Sequence, residues 1–147
     1  MNQLEEPILD SNTIEAMLPH RQPMVLVDSL LFYSENKGVA GYTIKENSMF
    51  LEGGSFTEAG LIEHMAQTAA LHAGYASQLK KDGVKEGFIA AIKSCHIHEL
   101  PKLGSTLTTE ITIVYQTELM SSVECECRSN GEICVTATMT TVLNSKE

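Results

Sequence analysis

The chain has 147 residues, 43% apolar and 20% charged, the proportions of one globular domain long enough to bury a core. Its formal charge of −9 argues against nucleic acid, whose phosphates demand basic surface, and against a polybasic membrane contact. The acidic start MNQLEEPILD lacks the apolar run of a secretory signal, and no later segment approaches a membrane span; Cys95, Cys125, Cys127 and Cys134 lack CxxC spacing and read as free thiols of a cytoplasmic protein.

Ser11, Asn12 and Thr13 can cap a turn or two of helix through Ile14, Met17 and Leu18, stopped by Pro19. After Pro23, MVLVDSLLFY is rich in β-branched and other apolar residues and predicts a strand. Asn36-Lys37-Gly38 supplies a turn, VAGYTIKEN the return strand, and Glu52-Gly53-Gly54 a second break.

The strongest helix signal follows. Ser55 and Glu58 have capping-box spacing. Leu61, Ile62, Met65, Ala66, Ala69, Ala73 and Ala76 then recur at helical intervals as one broad stripe. Glu63 lies roughly 130° from the centre of that stripe. Its neighbours there, Gly60, Ala70 and Gly74, are small rather than charged, the pattern of a cavity wall rather than of a wetted face. Lys80, Lys81, Asp82 and Gly83 are expected to end the helix with positive charge and a glycine.

Everything after Gly87 alternates. FIAAIKSCHIHEL, STLTTEITIVYQ, SSVECECR and EICVTATMTTVL predict four strands, the last two joined by a tight turn at Asn130-Gly131. A long apolar helix alone among strands must be covered by a sheet that curls round it, which is an α+β fold of about five to six antiparallel strands.

Three stretches carry a resemblance. LPHRQPMVLVDSLL, at residues 18–31, resembles the opening strand of bacterial (3R)-hydroxyacyl-[acyl carrier protein] dehydratases of the hotdog superfamily. LIEHMAQTAA resembles their central-helix motif, and GFIAAIKSCHIHELPKLGSTLTTEITI their third and fourth strands. The similarity spans about residues 15–142 of a single hotdog domain, in the family's order. It implies a hotdog dimer with acyl tunnels at the subunit interface. A histidine would take the α-proton of a 3-hydroxyacyl thioester, and the helix carboxylate would help the hydroxyl leave as water, with no metal and no cofactor. The helix carboxylate maps onto Glu63, expected to be kept protonated by an apolar slot. The family's loop histidine maps onto Met49. That departure, with the LPH-x-x-PM opening and the Glu-x-Met-Ala-Gln helix, resembles the ApeP-like dehydratases of aryl polyene and flexirubin clusters.

Glu63 is therefore the first candidate catalytic residue, against the ordinary reading of an exposed or salt-bridged helix glutamate. His20 is the second, as base, expected to face Glu63 across the interface between two subunits; its other reading is a ring that orients the turn, with Arg21 paired to a carboxylate. Gln67, one turn beyond Glu63, is a candidate to orient it or hold a water. Gly54, Gly60 and His64 are candidates for contact with substrate, although Gly54 also suits loop punctuation and His64 suits packing. His72 reads as a satisfied core histidine. Cys95, His96 and His98 alternate across a strand and make a poor metal site, and Cys125 and Cys127 read as a strand's inward face.

Two other functions fit the same residues. A hotdog acyl thioesterase could use a lone helix carboxylate to activate water. A weakly active subunit could instead complete the tunnel of a heteromeric dehydratase. The expected partners are an acyl carrier protein or coenzyme A thioester and a second hotdog subunit, as homodimer, higher oligomer of dimers or heterodimer. Docking of an acidic carrier would need a local basic patch drawn from Arg21, Lys80, Lys81, Lys85, Lys93 and Lys102.

Overall fold

The structure is a computed structural model describing residues 1–81 and 87–143; Asp82 and Gly83, expected to stop the long helix, and Lys85 lie outside them. Helix α1 spans Ser11–Ala16. Its cap is Asp10, one residue before the expected polar run, and the Asp10 carboxylate accepts from the Thr13 N–H at 3.0 Å and the Thr13 hydroxyl at 2.9 Å.

Strands β1 (Ser29–Ser34) and β2 (Lys37–Thr43) form a hairpin that turns at Glu35-Asn36, so Lys37 and Gly38 belong to the strand rather than to the turn. The expected strand from Met24 begins only at Ser29. The reason is that Leu26 finds its backbone partners on a helix: its N–H donates to the Gln67 side chain and its carbonyl accepts from His64. A segment whose backbone is satisfied by side chains has no ladder to join.

Leu51–Glu52 (β3) and Ser55–Phe56 (β4) make a two-residue hairpin around Gly53 and Gly54, whose φ values of +61° and +82° suit glycine. Ser55 is thereby committed to a strand, and Thr57 caps the long helix α2 (Glu58–Leu79) instead, its hydroxyl accepting from the Gly60 N–H at 3.1 Å.

Strands β5 (Gly87–Ile97), β6 (Thr106–Gln116), β7 (Met120–Ser129) and β8 (Glu132–Leu143) follow the alternating segments closely. Asn130 and Gly131, at φ 51° and 93°, turn β7 into β8 as expected.

The main sheet is antiparallel with six strands in the order β1-β2-β6-β7-β8-β5. Helix α2 packs against β2, β5, β6 and β7. From β2 to β5 is four strand spacings, about 19 Å in a flat sheet and nearly twice a helix diameter, so the sheet must curl round α2. Bulges in β1, β5, β6 and β8 assist that curvature. This is the α+β hotdog arrangement.

The larger core lies between sheet and helix around Phe56, Leu61, Met65, Ile111, Val135 and Met139. A second cluster seats α1, Val25 and Val27 against Leu30, Ala40 and Leu71. Strand β1 is partly covered by the N-terminal arm, through Ile8 and Leu30. Strand β5 forms the other edge, and most of its described side chains are exposed. Among the described residues no helix is long and apolar enough to cross a membrane.

Candidate active site

Glu63 sits in the second turn of α2, and the turn after α1 brings His20 to it. His20 Nε2 lies 3.5 Å from Glu63 Oε2 within one chain, with side chains 25% and 29% exposed. The expectation that the two face each other across a subunit interface is thus corrected: the fold of a single chain brings them together. Arg21 fixes the turn, its guanidinium donating to the carbonyls of Glu15, Leu18 and His20 at 3.0, 2.9 and 2.6 Å. It pairs with carbonyls rather than with a carboxylate.

The following segment is held from the helix. Gln67 Nε2 donates to the Met24 carbonyl at 2.7 Å and to Glu63 Oε2 at 2.9 Å, while Gln67 Oε1 accepts from the Leu26 N–H at 2.7 Å. The Nδ1–H of His64 donates to the Leu26 carbonyl at 2.7 Å. Gln67 and His64 are both fully buried, so two helix side chains grip the N–H and the carbonyl of Leu26 and place the His20 turn beside Glu63.

The electrostatics follow from these contacts. The nearby His20 side chain holds the Glu63 carboxyl below its ordinary range of about 4.5, Gln67 adds to the effect, and partial burial opposes it. The expected upward shift from an apolar slot is overturned, because donors outweigh desolvation. Complete burial pushes His64 down to about 4, so it is a neutral imidazole whose Nε2 has no partner among the described residues. His20 Nδ1 is likewise buried without a partner among the described residues.

A groove of about 1050 Å³ runs from His20 and Glu63 past Ala66, Ala70 and Ala73 toward Lys80, with Ile111 and Val123 of the sheet opposite. Residues 63 to 80 of a helix span roughly 25 Å. The small side chains noted in the sequence thus make room beside the carboxylate.

Other candidates fall elsewhere. Gly54 is an exposed turn residue, its side-chain position open to solvent for 4 Å. Gly60 is needed for packing, since a Cβ there would come within 2.8 Å of Phe50 and Phe56. Met49 is 59% exposed. His72 is a core histidine, bonded to the Ser34 carbonyl at 2.8 Å and stacked on Tyr33. Among the described residues no group of three or more His, Cys, Asp or Glu converges, and Cys127 and Cys134 are free thiols with Sγ atoms 3.8 Å apart. Sequence reasoning missed the grip on Met24–Leu26. The available signal was a pair of polar residues, His64 and Gln67, on a helix built for burial, because buried polar groups require partners.

Residues 12–147 match the model of the ApeP-like family, described as ApeP dehydratase. A 3-hydroxyacyl-[acyl-carrier-protein] dehydratase FabZ of Latilactobacillus sakei is 28% identical over 142 residues, covering 92% of this chain and 99% of that protein. The solved dehydratase heterocomplex ApeI:P of Xenorhabdus doucetiae contains a chain that superposes with a TM-score of 0.85 at 25% identity, covering 90% of this chain and 91% of that one. A hypothetical thioesterase of Streptococcus pneumoniae bound to coenzyme A matches with a TM-score of 0.61 at 15% identity, over 80% of this chain and 86% of that one, a likeness of fold alone. A curled six-stranded sheet, an acidic residue on its central helix and a family match over nearly the whole length lead to one assignment: the chain belongs to the ApeP-like dehydratases, hydro-lyases of the hotdog superfamily.

Proposed function

We propose that Glu63 and His20 together remove water from a 3-hydroxyacyl thioester carried on an acyl carrier protein, giving the trans-2-enoyl thioester in fatty acid or polyene biosynthesis. The observation that carries the pairing is the 3.5 Å approach of His20 Nε2 to Glu63 Oε2 at the head of an alanine-lined groove. Dehydration needs a group that accepts the C2 proton and a group that protonates the hydroxyl leaving C3. A carboxylate and an imidazole within reach of one substrate supply both, and the groove gives the acyl chain a path along α2. His20 supplies the imidazole that the Met49 position lacks. Gln67 and His64 support the reaction by position, since both are buried and bonded within the chain.

The exposed edge β5 supports assembly with a second hotdog subunit, a copy of this chain or a related one, by continuing the sheet across the two. A cytoplasmic setting is where the acyl carrier protein would be met. The heteromeric reading has its own support in the ApeI:P likeness.

The test is the fate of the thioester. The purified protein, alone or with its partner subunit, should hydrate crotonyl thioesters and dehydrate 3-hydroxyacyl thioesters without releasing thiol. Glu63→Gln should lose about 10²-fold or more of that rate. Thiol release as the main product would assign a thioesterase instead.

A further inference from the structure

The family resemblance makes the histidine the base and the carboxylate the acid; the contacts around Glu63 favour the opposite. Gln67 has one orientation available to it. Its Oε1 is taken by the Leu26 N–H and one of its protons by the Met24 carbonyl, so toward Glu63 it can only donate. Flipping the amide would set it against both backbone groups. Glu63 Oε2 therefore faces a fixed N–H, an arrangement that favours a carboxylate and offers nothing to a proton on that oxygen. His20 Nε2 faces the same oxygen at 3.5 Å. An unprotonated Nε2 would set its lone pair against those of Oε2, so Nε2 carries a proton there. The dyad thus starts as carboxylate and N–H. Among the described residues, Glu63 Oε1 makes no hydrogen bond and is left to react.

We infer, building on the dyad proposed above, that Glu63 is the base that takes the C2 proton and His20 the acid that protonates the departing C3 hydroxyl, with Gln67 as the positioning residue that fixes this polarity. The step balances without a co-reactant. Glu63 Oε1 accepts the C2 proton, and the C2–H electron pair becomes the C2=C3 double bond. The C3–O bond breaks toward oxygen, and the Nε2 proton of His20 completes the water molecule. Glu63 then holds the C2 proton and His20 lacks its Nε2 proton; transfer across the dyad to Nε2 restores the starting state.

A leaving group that departs as a stable anion removes the need for an acid but not for a base. Each variant is therefore assayed on a 3-hydroxybutyryl thioester and on its 3-acetoxybutyryl counterpart, with rates referred to the unaltered protein on the same substrate. His20→Gln should fall about 10²-fold or more on the hydroxy substrate and recover to within about tenfold on the acetoxy one. Glu63→Gln should stay slow on both. Binding of a 2-enoyl thioester by Glu63→Gln certifies its fold; if binding is lost, Glu63→Asp replaces it and should be slowed in equal proportion on both substrates. Recovery of the Glu63 variant alone, of both variants, or of neither would overturn the polarity while leaving the dyad in place. Unimpaired turnover of the hydroxy substrate by both variants would instead remove the dyad itself.

Discussion

His64 is shut away from solvent completely, and its stability cost has a definite pH window. An unfolded histidine takes up a proton near pH 6.5, whereas His64 in the fold does so only at about 4. Between those values the unfolded chain binds more protons than the folded one, so stability falls as pH drops from about 6.5 toward 4. The loss tends toward roughly 3 kcal/mol at the acid end. His72, depressed by burial, acts in the same direction. Glu63 contributes with the carboxylate sign: its stabilisation is present above the ordinary carboxylate value and is lost as pH falls through its lowered one. The thermal midpoint of His64→Gln, measured from pH 7 to 4.5, should therefore fall less steeply than that of the unaltered protein. At this scale the sequence marked Glu63 and His20 as a pair, because one lay among small neighbours and the other in a recognisable opening motif. It did not reveal that Glu63 would be held ionised. That depends on donors arriving from residues 20 and 67, brought together only by the fold.

Among the elements, the four strands after Gly87 were legible because alternation and the Asn130-Gly131 turn are local signals. The Ser55 cap was misread because β3 and β4 claim that residue, and a two-stranded hairpin so short leaves no periodic trace. The late start of β1 has the same kind of cause, since the backbone partners of Leu26 lie on α2, about forty residues away. The joint between α1 and α2 is equally non-local. A Cβ at Gly74 would lie 1.9 Å from the Met17 carbonyl oxygen and 2.9 Å from its carbon, a clash with backbone that no rotamer relieves. Gly74→Ala should destabilise the protein by about 2 kcal/mol or more, seen as a lower urea midpoint. Because Met17 leads directly into the His20 turn, dehydration should slow even where the variant remains folded.

For the whole molecule, the sheet has two unlike edges. The N-terminal arm lies on β1, but β5 presents eleven residues of strand with Ile92 and Ile97 exposed at 40% and 37%. A long apolar edge of this kind is a pairing surface. Replacing both isoleucines by glutamate should cost the single chain little and shift its sedimentation to the mass of one subunit. Dehydratase activity should fall with the assembly. An unchanged oligomer would place the contact elsewhere.

That bare rim has a consequence for how such chains choose company. Main-chain N–H and carbonyl groups are common to every polypeptide, so a rim read through them cannot distinguish a twin from a cousin. Discrimination falls to the few side chains flanking it, and a handful of substitutions there would suffice to turn a self-matched pair into a mixed one without disturbing the chemistry at Glu63.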